Sequence, residues 1–501
     1  MNRIEQIKAE RGGLDIGHEI ARFAAQGWEM IPDGDLERLK WWGLFLRKQT
    51  PGFFMLRVRI PGGVLNAQQL RTLGSLANHC GRGLADLTTR QQVQLRWIRI
   101  EDVPNIFAEL REAGLVSLQT GMDNPRNVIG CPVHGLVASE ALDAGPVVRA
   151  LEARIVGNAD FANLPRKFNI AITGCRENCV HAETQDLALV PAEREVDGWT
   201  LRGFNVLVGG KLGSGGYRVA QPLDVFVSPG EAPGLCLAIA AIFRDHGSRE
   251  ARNKSRLAFL LEERGEAWLR AELEARLSCA LTPAGKDLRT AKSSNHVGIF
   301  RQHQPGLNYV GLSVPVGRMS GDQLAALARV AEVYGTGEVR LTVDQNVVLP
   351  GVLDAKLADL TAEPLLQALR YDPPGVLRGV VSCTGLEYCN LAVIETKQRA
   401  LALARDFATR LPEARHLRIH WSGCPAGCGN HSVADIGLVG TKTKHDGRVV
   451  EAVDVFVGGS AGPVPRPAIK LLERVPCSEL PALLEGLARY GDFEGLKTRA
   501  G

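Results

Sequence analysis

The chain has 501 residues, 45% hydrophobic and 23% charged, a balance typical of globular proteins at a length too great for one ordinary core. No uninterrupted apolar run approaches the roughly 20 residues a bilayer requires, and a net charge of +4 without a block of consecutive Lys/Arg lacks the phosphate footprint of a nucleic-acid binder. A membrane helix and a nucleic-acid partner are thereby excluded, whereas an acidic protein partner suits the mild positive balance.

The opening stretch, Met1 to Arg11, is charged and is followed by no apolar segment with a small-residue cleavage site, so a cytoplasmic protein is expected. Residues before about Lys48, including Trp41-Trp42, read as an arm packing on the rest. From there the chain repeats itself. Pro51-Gly52 and an apolar strand-like run precede Leu70, Leu73 and Ala77 at helical spacing, then Gly81, Gly83, Leu87-Thr88 and Gln91. A shift of 254 positions gives Pro305-Gly306, Leu324, Leu327, Ala331, Gly335, Gly337, Leu341-Thr342 and Gln345. Asn66 and Ser320 stand where a helix N-cap belongs, and each half reads strand, helix, strand. A second block repeats at an offset of 249: Gly174-Cys175, Cys179, Asp186 and Val208-Gly209-Gly210 match Gly423-Cys424, Cys428, Asp435 and Val457-Gly458-Gly459. Period-two alternation in 167–172 and 416–421 marks a strand entering each Gly-Cys loop. The order of blocks implies a pseudo-twofold molecule, with the two strand–helix–strand units in one lobe and each Gly-Cys block an α/β lobe of its own.

Eleven cysteines, an odd number, argue against a disulfide framework and for thiolates that bind metal. Cys383 and Cys389 flank five residues, and Cys424 and Cys428 flank three. Two close pairs of soft ligands suit an iron–sulfur cube or zinc, and these spacers fit the larger cluster better than a zinc knuckle. Four simply buried cysteines are the bland alternative. Cys131, Cys175 and Cys179 mirror three of these four, but Val137 stands where a fourth thiol would fall, so no second cluster is expected and the three read as a relic of duplication, buried or partly reactive. The glycine runs 209–213 and 458–459 are followed by no phosphate-binding helix pattern, which disfavours direct use of NAD(P)H and an intrinsic flavin.

The C-x5-C and C-x3-C pairs inside two repeating halves resemble the ferredoxin-dependent nitrite and sulfite reductase family over nearly the whole chain. The resemblance implies an α+β fold, a pseudo-twofold duplicated architecture with two ferredoxin-like half-domains and two α/β siroheme/cluster lobes. The expected division is an arm 1–47, half-domains 48–120 and 291–370, a siroheme and substrate-side lobe 121–290, and a cluster lobe 371–501 with a C-terminal tail. It further implies that Cys383, Cys389, Cys424 and Cys428 hold one [4Fe–4S] cluster, with Cys428 bridging to the iron of siroheme. Thr88-Thr89-Arg90-Gln91, Asn124-Pro125-Arg126-Asn127 and the segment Leu164 to Asn169 resemble the family's distal-face segments. Arg90, Arg126 and Lys167 are thus expected as substrate-side cations, and Arg166 as a ligand to siroheme carboxylates, which a guanidinium fork suits.

Sulfite reductases of this family carry Lys-Phe-Lys where this chain has Lys167-Phe168-Asn169. A dianion benefits from a second cation and monoanionic nitrite does not, so Asn169 favours nitrite. Leu36 to Pro61 and Ile394 to Lys397 also look like the nitrite members. The implied activity is six-electron reduction of nitrite to ammonium, as in nitrate assimilation, by a monomer taking electrons from ferredoxin or flavodoxin. The alternatives are an assimilatory sulfite reductase of the same family and, from another class, a non-catalytic iron–sulfur or zinc scaffold.

Overall fold

In the first repeat an apolar run forms strand Thr50–Val58, and the Leu70, Leu73, Ala77 spacing becomes helix Ala67–Cys80. Asn66 caps that helix: its side chain accepts from Gln69 N at 2.8 Å while Gln69 Oε1 accepts from Asn66 N at 3.0 Å. Ser320 and Gln323 form the same reciprocal box, at 3.1 and 2.9 Å, at the head of helix Gly321–Tyr334. The duplication therefore extends to the start signals of the helices. The computed structural model describes residues 2–213, 216–291, 294–410 and 416–490, and the C-terminal tail expected from the sequence lies, past Tyr490, outside the described residues.

Each half is richer than strand, helix, strand, because a further strand follows the helix hairpin-fashion in both. The first sheet runs Leu44–Arg47, Thr50–Val58, Val93–Ile98, Leu84–Leu87 and then Arg318–Ser320 from the other half. The second runs Gly298–Arg301, Leu307–Leu312, Val347–Leu353, Glu338–Leu341 and then Val64–Asn66 from the first. Each half thus lends an edge strand, Ser320 opposite Leu84 and Asn66 opposite Glu338. Leu70 and Leu73 share one core with Leu324 and Leu327, so the two units make a single lobe, as the repeat implied. The arm contributes more than packing. Leu44–Arg47 is the edge strand beside Thr50–Val58, and Trp41, fully buried, donates its indole N–H to Ala162 O at 2.7 Å.

Each Gly-Cys block builds a sheet with the same plan and its own core. Ile129–Gly130, Ile170–Ile172 and Leu187–Val196 run parallel, followed by antiparallel Trp199–Val208 and Gln221–Val227. Val380–Ser382, Ile419–Ser422 and Ile436–His445 repeat the parallel trio, followed by Arg448–Val457 and Ile469–Pro476. The strands expected over 167–172 and 416–421 become continuous only at Ile170 and Ile419, with Phe168 making an isolated parallel bridge to Pro125. The shortening has one cause in both lobes: Asn169 N donates to Asp186 Oδ2 at 2.8 Å and Arg418 N to Asp435 Oδ2 at 2.9 Å, so a carboxylate takes the donor a strand neighbour would have used. Gly213, at φ +70°, lets the first lobe abut the second: a Cβ there would stand 2.5 Å from Ala426 O. Among the described residues no helix is long and apolar enough to cross a membrane.

Candidate active site

Two adjacent parallel strands deliver the four cysteines to one place. Cys383 directly follows Val380–Ser382, and Cys424 and Cys428 follow Ile419–Ser422, its parallel neighbour. Gln345 fixes the first strand: its side chain accepts from Ser382 N at 2.9 Å and donates to Ser382 O at 3.0 Å and Leu87 O at 2.9 Å. Thr396 Oγ1 donates to Cys383 O at 2.7 Å, Gly423 N to Cys383 Sγ at 3.1 Å, and Thr89 Oγ1 to Cys428 O at 3.0 Å. All four cysteines line a single open cleft between the cluster lobe and the ferredoxin-like lobe. Cys428 is exposed and the others are half-buried. Burial pushes the Cys383 thiol up to about 12 and that of Cys424 up to about 11, so metal loading has to displace their protons.

Beneath the Cys383 loop a buried carboxylate, Asp86, gathers Arg96 at 2.8 Å, Arg318 at 3.0 Å and Lys397 at 3.6 Å. Burial alone would raise the Asp86 carboxyl, but Lys397, Arg96 and Arg318 outweigh it and hold it well below the usual range. Arg96 also donates to Thr384 Oγ1 at 2.8 Å, and Lys397 donates to Val316 O. This network ties the cysteine loop to the sheet of the other lobe.

The facing wall is cationic. Arg47, Arg57 and Arg90 line the cleft with the cysteines. Arg126 is held by backbone carbonyls, donating to Met122 O at 2.7 Å and to Thr120 O; Arg57 shares Thr120 O at 2.8 Å. Burial lowers Arg90, Arg126 and Lys167; Arg90 lowers Arg126 and Lys167 further, and Cys428 works in the opposite sense on Arg90 and Lys167. The three expected cations thus act on one another's charge, and Arg90 and Lys167 also feel Cys428. Lys167 Nζ and the Arg90 guanidinium make no hydrogen bond or ion pair among the described residues. Asn169 joins Arg90, Gln185, Gly427 and Asn430 around an adjoining recess.

Several buried polar atoms here lack a protein partner: Arg47 Nε, Arg126 Nε, Arg256 Nη1 and Asn169 Oδ1. Buried donors without acceptors are costly, and a cleft with four thiols and unanswered guanidinium N–H groups fits a thiolate-held cluster beside a polycarboxylate macrocycle. Arg166 acts on the charge of Arg126 but is itself held by other partners. Its Nε donates to Arg252 O at 3.2 Å and its guanidinium is 3.9 Å from Asp123, which Arg252 and Lys8 also pair. Arg57 and Arg256 join the site without having been singled out in the sequence. A basic residue inside the apolar run Phe54 to Ile60 was the available signal for Arg57, since such a position is buried only if its charge is used. Arg256 pairs bidentately with Asp186, at 2.8 and 2.6 Å.

Known proteins share this architecture. The model of the nitrite and sulphite reductase 4Fe-4S domain matches residues 121–281 and 375–493, and that of the nitrite/sulfite reductase ferredoxin-like half domain matches 46–113 and 300–366. The chain belongs to the nitrite and sulfite reductase family. Within this family it is 46% identical to the ferredoxin–nitrite reductase of Synechococcus elongatus, over 98% of this chain and 97% of that one. An assimilatory ferredoxin-dependent nitrite reductase of Haloferax mediterranei is 39% identical, covering 96% of this chain and 88% of its own. Among solved structures, the Mycobacterium tuberculosis NirA protein superposes with a TM-score of 0.92 at 33% identity, over 97% of this chain and 93% of that one.

Proposed function

We propose that this family member is a ferredoxin-dependent nitrite reductase that forms ammonium at a siroheme joined through Cys428 to a [4Fe–4S] cluster on Cys383, Cys389, Cys424 and Cys428. The observation that carries the reading is the single cleft with those thiols on one wall and Arg57 and Arg90 on the other, with Asn169 rather than a second lysine beside Arg90. The names of the relatives agree with it. When bound there, siroheme and the cluster supply the low-potential electrons and the iron that takes nitrite.

The protein's own part is charge and protons. Arg57, Arg90 and Arg126 hold a fixed positive field where the substrate anion sits and where charge develops as oxygen leaves. Lys167, lowered by burial and by Arg90, gives up a proton more readily than an ordinary lysine and is the proton donor of the group. Asn169, neutral and with an unpartnered Oδ1, adds no second cation and so suits a monoanion. Arg47 and Arg256, with Arg166, would pair with the carboxylates of the macrocycle.

The donor is ferredoxin, as the names of the relatives indicate, and the Cys389 loop, which meets solvent at Leu391, 69% exposed, supports a route for electrons from the surface to the thiols. Lys48 N donates to Asn390 Oδ1 at 3.1 Å there and Gln49 to Cys389 O at 3.0 Å. None of the eleven cysteines is in a disulfide, which supports a reducing, cytoplasmic setting, and one chain supplies both halves, which supports a monomer. The visible spectrum of the purified holoenzyme tests the reading. Soret and red bands that shift on adding nitrite are expected; iron-replete protein without such bands sinks it.

A further inference from the structure

The first Gly-Cys lobe carries a thiol constellation that nitrite chemistry leaves unused. Cys131, Cys175 and Cys179 are buried, at 1%, 1% and 5% exposure, and their sulfurs all lie within 4.8 Å of one another. The Cys179 and Cys131 sulfurs are 3.4 Å apart. The three arrive from different places: Cys131 directly after strand Ile129–Gly130, Cys175 beyond Ile170–Ile172, and Cys179 from a turn in which Asn178 and His181 both take φ of +49°. The backbone is already shaped around one of them, since Glu177 N donates to Cys175 Sγ at 3.4 Å and Cys175 N to Thr173 Oγ1 at 3.0 Å. Their surroundings include Val133, Ala171, Val180 and Leu207. One route leads in, because Cys131 also lines a cleft with Gly130, His134 and Arg149, distinct from the cleft of the four-cysteine set.

Three sulfurs bound to a common ion at about 2.3 Å would stand roughly 3.7–4.0 Å apart, inside the observed spread. An iron–sulfur cube does not fit, since it needs four corner thiolates and position 137 is Val. We infer that Cys131, Cys175 and Cys179 hold one soft d10 cation in a thiolate site separate from the four-cysteine set. Thiolates select Cu(I) or Zn(II) over hard ions. Cu(I) is complete with three sulfurs; Zn(II) takes a fourth ligand, water from the cleft at Cys131. Loading forms three metal–sulfur bonds and releases the thiol protons to solvent, with no electron transferred.

The test uses full-length holoenzyme, intact and as the single variants Cys175→Ser and Cys179→Ala. Each protein is cleared of loosely held metal, given one equivalent of Zn(II) or, without oxygen, of Cu(I), and challenged with a chromophoric chelator. Metal per chain and X-ray absorption at that metal's edge are then measured. Intact protein is expected to keep one equivalent, with sulfur neighbours at about 2.3 Å; three sulfurs alone mark Cu(I), and three plus one light atom mark Zn(II). Both variants should hold the ion at least tenfold more weakly, since even outer-shell changes cost about 10–100-fold, while siroheme and iron content stay at the intact level. Equal retention by the variants, an oxygen or nitrogen shell, retention of neither ion, or a Cys131–Cys179 disulfide in the intact protein overturns the inference. The absorption spectrum of the intact protein decides alone should a variant not fold.

Discussion

In the first Gly-Cys lobe, Gln91 exchanges hydrogen bonds with Gly130, 2.9 Å each way, and Cys131 follows. In the second, Gln345 does the same to Ser382, at 2.9 and 3.0 Å, and Cys383 follows. Both glutamines sit in the left-handed region, at φ +54° and +63°, a conformation an L side chain keeps only where its surroundings demand it. Beyond this shared clamp the lobes diverge. The first draws its thiols into a buried apolar knot; the second spreads four around an open cleft faced by arginines. Duplication preserved the backbone that delivers cysteine to the end of a parallel strand, whereas spacing and lining set what the thiols can hold: Cys389 in one lobe, Val137 in the other.

The sharpest way to break the comparison is to change matched cysteines. Cys428→Ser should drop nitrite turnover by at least about a thousandfold, some 4 kcal/mol at the transition state, and remove the coupled spectrum. Its counterpart Cys179→Ser should retain most of the turnover. Steady-state assays with a chemical reductant, beside iron and siroheme analysis, check both, and comparable losses in the two would dissolve the distinction. The clamps come next. Gln345→Ala strands two carbonyls and an N–H in the interior, at a cost of about 2–4 kcal/mol, and should lower both the melting temperature and the iron per chain. Gln91→Ala should lower the melting temperature alike but leave iron content unchanged.

A smaller effect is expected at the recess. Asn169→Lys should raise the ratio of sulfite to nitrite turnover about tenfold, or roughly 1.4 kcal/mol, with cofactor content unchanged; a constant ratio would mean that residue 169 does not meet the anion. The smallest concerns Asp435, matched to Asp186. Burial opposes its ionisation, but Arg418, pairing at 2.9 Å, prevails and holds the carboxyl below its ordinary value. A lowered folded pKa stabilises at pH above the unfolded value near 4 and loses that contribution as pH falls through the folded one. Asp435→Asn should therefore cost about 1 kcal/mol at pH 7, and its melting deficit should shrink toward pH 3.

Much of this was legible because the signals were local or repeated. The caps at Asn66 and Ser320 came from residue type and offset, and the cysteine set from spacing plus family resemblance. The exchange of strands Val64–Asn66 and Arg318–Ser320 was not legible, since three-residue strands carry no period and their partners lie in the other half. The short ladders at Ile170 and Ile419 escaped notice because Asp186 and Asp435 act from 17 residues away. Arg57 was signalled only as a charge inside an apolar run, with nothing to say what it faces, and the convergence of Cys131, Cys175 and Cys179 needed the fold to bring distant loops together.

The strand exchange also sets a schedule for synthesis. Val64–Asn66 pairs with Glu338–Arg340, which leaves the ribosome about 270 residues later. At about 5–20 residues per second the first half waits roughly 15–55 s with its own edge at Leu84–Leu87 open as well, pending Arg318–Ser320. An open edge invites pairing with another chain, so nascent chains halted between the two halves are the species that a cell must shield from one another.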